Sequence, residues 1–155
     1  MYMILICLHR PLDWIDKLIC FFCRGIYCHV NVKINDIVYD CRPFKGVRRL
    51  KVIDDKKGKI VDLYEIPHFP KSHEGEIIKF LESQVGTNYD WVALLGFILY
   101  INKEERNRYT CSQLTFAAFK SAGIHLLERV DDYKVSPTMI SYSDKLKFQE
   151  TIIVK

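Results

Sequence analysis

The sequence lacks any apolar run long enough to cross a bilayer. Residues 91–101 form a marked apolar stretch of only eleven residues, whereas a membrane-spanning helix needs about 20. The first eight residues lack the basic segment and the small-residue cleavage site of a secretory signal. We therefore expect a cytoplasmic protein with reduced thiols and no transmembrane segment.

The sequence also has no internal repeat, no low-complexity segment and no interdomain linker. A chain of 155 residues in which 49% are apolar can bury one sizeable core. We predict a single domain over residues 1–155. The charge imbalance is small, at 23 basic against 19 acidic residues, so the chain is not the strongly basic type that binds nucleic acids.

A local basic cluster nevertheless lies within residues 42–59. It could attract a phosphate group, an anionic membrane or nucleic acid. Asp54, Asp55 and Asp62 dilute its charge, so we predict a solvated face and no nucleic-acid partner. The cluster comprises Arg42, Lys45, Arg48, Arg49 and Lys51, with Lys56, Lys57 and Lys59 shortly after.

The cysteines do not form a metal-binding set. Cys20 and Cys23 have the spacing of a metal or redox pair, but no second Cys or His pair completes a zinc site. We expect both to pack on a helix. A site built from His29, Cys28 and Cys41 is disfavoured because Cys28 and His29 point to opposite faces of a strand. We therefore predict no metal and no cofactor.

One cysteine stands where a helix should begin. Thr110 is a good N-cap, Leu114, Ala117 and Ala118 follow at helical spacing, and a glycine at 123 marks the end. Cys111 is then in the first turn, where unpaired N–H groups and the helix dipole favour a thiolate. The alternative is an ordinary buried cysteine.

A histidine and a carboxylate are predicted on adjacent strands. Residues 29–34 alternate polar and apolar side chains, which is typical of a strand, and residues 38–41 form the next strand after an Asn-Asp turn. His29 and Asp40 should therefore lie close together. A carboxylate beside an imidazole fixes its tautomer, and with Cys111 it would complete an activated-thiol site.

The remaining pattern predicts an α+β fold with a mostly antiparallel sheet packed against helices. Predicted strands cover residues 3–8, 27–34, 37–42, 47–52, 59–66 and 148–154. Predicted helices cover residues 12–22, 74–84, 91–100, 111–122 and 139–146, with a polar connector at 102–108.

Several short motifs, in this order, resemble one enzyme family. They are His-Val at a strand start, Val-Tyr-Asp in the next strand, Gly46-Val47-Arg48, Gly-Thr-Asn-Tyr-Asp-Trp at 86–91 and Tyr-Thr-Cys-Ser-Gln-Leu at 109–114. The chain resembles the circularly permuted papain-fold cysteine hydrolases related to the NlpC-type cell-wall peptidases. In that branch the histidine strand precedes the cysteine helix, as it does here.

The resemblance implies a permuted papain-like fold and a role for each matching residue. Cys111 would be the nucleophile, His29 the general base and Asp40 the residue that orients His29, although the family commonly has Glu there. The family acts on peptide and isopeptide bonds, including those of cell-wall peptides, and on lipid esters or amides. The resemblance therefore implies a peptide, cell-wall or lipid-derived substrate.

The backbone N–H of Cys111 is the predicted first donor of an oxyanion hole. Tyr27 and Tyr109 are candidates for the second donor, and Tyr27, Tyr89 and Tyr109 are expected to contact the substrate. Two alternatives to hydrolysis stay open at this point. One is a lecithin-retinol-acyltransferase-like acyltransferase or phospholipase, and the other is a non-catalytic binding module. The sequence leaves substrate and oligomeric state open.

Overall fold

The computed structural model of the protein describes residues 3–67, 69–92 and 108–155. Within them the chain has the predicted α+β architecture, built on one six-stranded antiparallel sheet with strand order β4-β3-β2-β1-β5-β6. The strands are β1 Ile4–His9, β2 His29–Ile34, β3 Ile37–Arg42, β4 Gly46–Leu50, β5 Ile60–Glu65 and β6 Lys147–Ile153.

Four α-helices accompany the sheet in the described part of the chain, and none is long and apolar enough to cross a membrane. They are α1 Trp14–Phe22, α2 Lys71–Gln84, α3 Cys111–Ser121 and α4 Pro137–Ser141, with a 3-10 turn at Asp132–Lys134.

The last predicted helix differs from this arrangement. The helix expected at 139–146 occupies Pro137–Ser141 instead, because Ser136 caps it and Pro137 fits its first position. The helix expected at 91–100 and the connector at 102–108 fall largely on residues 93–107, which lie outside the described residues.

The alternation of side chains along β1 separates two cores. Ile6 and Leu8 belong to the main core, which contains residues of α2 and α3 such as Ile77 and Phe119. Leu5 and Cys7 point to the opposite face and pack with Val61 and Leu63 in a smaller core. Because both faces of the central strand are covered, β1 is apolar along most of its length.

The pairing of β2 changes along its length. The ladder between β2 and β1 includes the first residue of β2, since His29 is opposite His9. The ladder between β2 and β3 covers only three pairs and stops at Val32 and Tyr39. The start of β2 is therefore not paired with β3, and the backbone N–H of Val30 on that side is directed at the sulfur of Cys111.

The segment before α3 is fixed to the outer edge of the sheet. Val47 donates to the carbonyl of Thr87 at 2.9 Å, and Gly86 donates to the carbonyl of Val47 at 2.9 Å. Gly46 permits this approach, since it has a φ of +63° and a Cβ there would lie 2.3 Å from the Thr87 carbonyl oxygen. A parallel bridge between residues 89 and 109 then leads the chain to Cys111.

Candidate active site

A buried carboxylate holds one nitrogen of His29. The His29 Nε2 atom lies 2.6 Å from Asp40 Oδ1, as the two-strand arrangement predicts. The other oxygen, Oδ2, accepts from Arg42 Nε at 3.1 Å and from Arg48 Nη2 at 2.8 Å. Burial alone would raise the pKa of Asp40, but His29 and the two guanidinium groups outweigh it and hold that pKa well below its usual range.

His29 is in its neutral form at pH 7. Burial lowers the pKa of His29 to about 4, and the attraction of Asp40 only partly opposes this effect. A neutral imidazole has one N–H, and the short contact to Asp40 assigns it to Nε2. The lone pair is then on Nδ1, which is the form that a general base requires.

Cys111 is the first residue of α3, as predicted. Thr110 caps the helix in a capping box, in which its backbone N–H donates to Gln113 Oε1 at 2.7 Å and its hydroxyl accepts from the Gln113 N–H at 3.3 Å. The first-turn N–H of Cys111 has no acceptor within its own helix, because the helix has not yet made a full turn.

The thiol of Cys111 is not ionised in the free protein. Burial raises its pKa to about 11, although the backbone N–H groups of Val30 and Ser112 act in the opposite direction. Position at a helix start favours a thiolate, but here the loss of solvent outweighs it. The resting pair is therefore a neutral thiol and a neutral imidazole.

Cys111 and His29 line the same cavity, which has a volume of about 100 Å³. Such a volume accommodates a reacting group, and a larger substrate would extend beyond it. Five other cysteine or charged side chains belong to the cavity wall, namely Asp16, Cys23, Cys28, Arg42 and Lys59. The full lining is Asp16, Ile19, Cys23, Cys28, His29, Arg42, Pro43, Lys59, Tyr89, Thr110, Cys111, Ser112 and Pro137.

Of the three tyrosines expected to contact a substrate, only Tyr89 lines this cavity. The hydroxyl of Tyr27 donates to Asp62 at 2.8 Å within the protein, so it is already engaged. The ring of Tyr109 packs edge-on against Phe80. The Tyr109 carbonyl accepts from the Cys41 thiol at 3.1 Å. This contact of Tyr109 is therefore made by its backbone and not by its hydroxyl.

A second histidine–carboxylate pair lies beside the first and was not found from the sequence. His9 Nδ1 is 2.7 Å from Asp55 Oδ2, and the rings of His9 and His29 meet edge-on with centroids 5.0 Å apart. Arg42 joins the two pairs, since its Nε donates to Asp40 and its Nη2 donates to Asp55 at 2.9 Å. The guanidinium is therefore fixed by two buried carboxylates.

Asn31 completes this buried network. Its Nδ2 lies 3.0 Å from His9 Nε2, so both ring nitrogens of His9 are in contact with a buried polar side chain. The Asn31 Oδ1 atom has no hydrogen-bond partner among the described residues. Sequence patterning gave no sign of the network because β1 and β2 are joined through α1.

All six cysteines are free thiols. Cys20 is buried within α1, whereas Cys23 follows the last residue of that helix and lines the cavity. Cys28 donates to the His9 carbonyl at 3.4 Å and lies 3.3 Å from Lys59 Nζ, which also binds Asp16. The described residues contain no group of three His, Cys, Asp or Glu side chains arranged to hold a metal ion.

The basic cluster is largely neutralised by nearby acids. Arg48 Nη1 binds Asp54 at 2.9 Å, and Lys45 binds the same carboxylate at 3.3 Å. Arg49 binds Glu82 at 3.0 Å. Since Arg42 and Arg48 also bind Asp40, the cluster serves mainly to hold the site and the neighbouring loop in place.

No known family model and no curated protein sequence matches this chain. The geometry of the site is therefore the basis for assigning it a function.

Proposed function

We propose that this protein is a thiol hydrolase that cleaves an amide or ester bond through a thioester intermediate. The observation that carries the proposal is that Cys111 and His29 line one cavity while Asp40 binds Nε2 of His29. In this arrangement the carboxylate orients the base and the base activates the nucleophile, as in other activated-thiol sites.

The neutral resting pair sets the first chemical step. Nδ1 of His29 takes the Cys111 proton as the sulfur bonds to the substrate carbonyl carbon, and the carbonyl π electrons move to its oxygen. The imidazolium that forms is stabilised by Asp40. It then gives its proton to the leaving amine or alcohol, and the C–N or C–O bond breaks to leave a thioester on Cys111.

Water completes the cycle by the reverse proton path. His29 removes a proton from water, the resulting hydroxide attacks the thioester carbon, and the C–S bond breaks. The sulfur recovers its proton from the imidazolium, and the acid product leaves. If an amine or alcohol replaces water, the same intermediate gives acyl transfer, so the two reactions differ only in the second acceptor.

The negative charge on the carbonyl oxygen needs preorganised donors. The first-turn N–H of Cys111 is one of them. Arg42 is a better candidate for the second than either Tyr27 or Tyr109, because it lines the cavity and two carboxylates fix its orientation. Its positive charge also favours the thiolate of Cys111.

We propose that the fold is the permuted papain-like one. The supporting features are the six-stranded antiparallel sheet, the position of the histidine strand before the cysteine helix, and Cys111 at the helix start. Six free thiols suit a reducing compartment, so we place the enzyme in the cytoplasm. Peptide, cell-wall and lipid-derived amides or esters are the candidate substrates.

Turnover of a panel of p-nitrophenyl esters and peptide anilides, with Cys111→Ser and the matched variant Cys23→Ser, tests the proposal. Cys23 lines the same cavity but has no role in the mechanism. We expect Cys111→Ser to lose at least about 10³-fold in kcat/KM and Cys23→Ser to stay near the parent. An acyl adduct mapped to Cys111 by mass spectrometry would confirm the intermediate.

Normal turnover in Cys111→Ser would rule out the nucleophile. Failure of the native protein to turn over or to form an adduct with any acyl donor of the panel would favour the non-catalytic binding module.

A further inference from the structure

Helix α1 has its apolar side chains on the outside. Trp14 and Phe21 are 73% and 74% exposed, and Leu18 between them is also exposed, so the three form one stripe at helical spacing. The inward side carries the buried Cys20 and Asp16, which binds Lys59. A helix that packs on a protein core normally has the opposite arrangement.

The apolar surface extends beyond this stripe along the same stretch of chain. Several neighbouring apolar side chains are exposed as well, which is more than the scattered single residues of an ordinary protein surface. We call this set the α1 face, and it comprises Leu12, Trp14, Ile15, Leu18, Phe21 and Ile26.

The charges around the α1 face leave an excess of positive charge. Both carboxylates of the helix are neutralised by lysines of the neighbouring turn, Asp13 by Lys56 and Asp16 by Lys59. Lys17 stays exposed beside the apolar stripe. The face therefore presents apolar and aromatic side chains with a lysine at its rim.

We propose that the α1 face docks on the surface of an anionic lipid membrane, with the helix lying in the plane of the interface. Apolar and aromatic side chains of such helices enter the headgroup region, and lysine or arginine at the rim binds acidic headgroups. Tryptophan is favoured at this depth because its ring is amphipathic. This inference is independent of the proposed chemistry.

The charge pattern favours a membrane over a second copy of the chain. In a two-fold contact through the α1 face, the Lys17 side chains of both copies would be brought close together, and their repulsion would oppose association. An anionic bilayer supplies the opposite charge at the rim.

Docking would place the cavity next to the bilayer. Asp16, Ile19 and Cys23 of the α1 region form part of the wall that also contains Cys111. The helix thus stands between the cavity and the α1 face, so a membrane bound there would lie within one helix diameter of the cavity, about 10 Å.

Co-sedimentation of the full-length protein with two kinds of vesicle tests the inference. The vesicles contain phosphatidylcholine alone or phosphatidylcholine mixed with phosphatidylserine. We expect binding to the mixed vesicles that weakens with salt. Phe21→Ser should reduce the partition coefficient by about tenfold or more, and Lys17→Glu by about fivefold or more.

Two further variants make the result specific to the α1 face. Phe148→Ser removes an apolar side chain that is 51% exposed on β6, and it should bind vesicles as the parent does. Trp91→Phe leaves Trp14 as the only tryptophan of the two in the chain. Its fluorescence should shift to shorter wavelength on mixed vesicles.

The inference is wrong if the native protein does not bind mixed vesicles, or if Phe21→Ser binds them as well as the native protein does. It is also wrong if size-exclusion chromatography shows a dimer that Phe21→Ser dissociates, since the α1 face would then be a self-association surface. Vesicle binding does not require a reactive Cys111, so Cys111→Ser should bind normally even if the proposed chemistry fails.

Discussion

His29 and Asp40 are in contact at 2.6 Å at a point where the ladder between their strands has already ended. Backbone pairing therefore does not fix the contact directly. Arg42 and Arg48 hold the carboxylate from its other oxygen. The orientation of the imidazole thus depends on a small buried group of charges, and this dependence can be tested.

We expect Asp40→Asn to lower kcat/KM less than His29→Ala does. Asn retains an acceptor for Nε2 but cannot stabilise the imidazolium, whereas His29→Ala removes the base itself. Steady-state rates on the best ester of the panel measure both. Asp54→Asn is the matched control, since Asp54 binds Arg48 from the solvent side and should leave the rate unchanged.

A silent Asp40→Asn would show that another group orients His29. Removing a buried carboxylate that faces two guanidinium groups should also destabilise the fold, by about 3–5 kcal/mol. Rates are therefore compared well below the melting temperature of each variant.

The unfolding free energy should fall as pH decreases from about 6.5 to about 4. In that window His29 is neutral in the folded protein but protonated in the unfolded chain, so protons stabilise the unfolded state, by on the order of 3 kcal/mol. Urea unfolding at a series of pH values measures the slope. His29→Gln should flatten it, and an unchanged slope in that variant would contradict the assignment.

A separate loss should follow at lower pH. The folded-state pKa of Asp40 is depressed, so its contribution is complete above the unfolded value of 3.8 and is lost as the carboxylate is protonated below it.

Alkylation of Cys111 by iodoacetamide should be slow at neutral pH and should keep rising up to about pH 10. The thiol has a pKa raised to about 11 and is only 8% exposed, so little thiolate is present and access is limited. Mass spectrometry of the labelled peptides gives the rate for each cysteine. A plateau for Cys111 near neutral pH would instead show a resting thiolate–imidazolium pair.

Gly25→Ala should lower the unfolding free energy by about 1–3 kcal/mol. A Cβ there would lie 2.1 Å from Thr138 Oγ1, which accepts the N–H groups of Ile26 and Tyr27 just before the His29 strand. Gly75→Ala, inside α2 with open space around it, is the control and should stabilise by about 0.5–1 kcal/mol. Denaturant titration compares the two, and equal effects would contradict the steric explanation.

Local patterns in the sequence predicted much of this structure. Alternation and turn residues placed β2 and β3 correctly, and with them the contact of His29 with Asp40. Capping residues placed Cys111 at the start of α3. These features depend on residues that are close in sequence, so they can be read without knowing the tertiary fold.

The features that were missed depend on long-range register and on burial. His9 reaches His29 only because β1 pairs with β2 across the intervening helix. Tyr27 was expected at the substrate but is bound to Asp62, and nothing near it in the sequence indicates that partner. The effect of burial on the pKa of Cys111 could not be predicted either, because a helix start is visible in sequence and the degree of burial is not.

The separation of the site residues along the chain has a consequence for folding. His29 and Asp40 are eleven positions apart within one hairpin, so their contact can form early and locally. Cys111 joins them only when α3 packs against β2, a contact between distant parts of the chain that closes more slowly. A growing or partly folded chain would thus contain the base without its nucleophile, and reactivity would require the packing of α3 against β2.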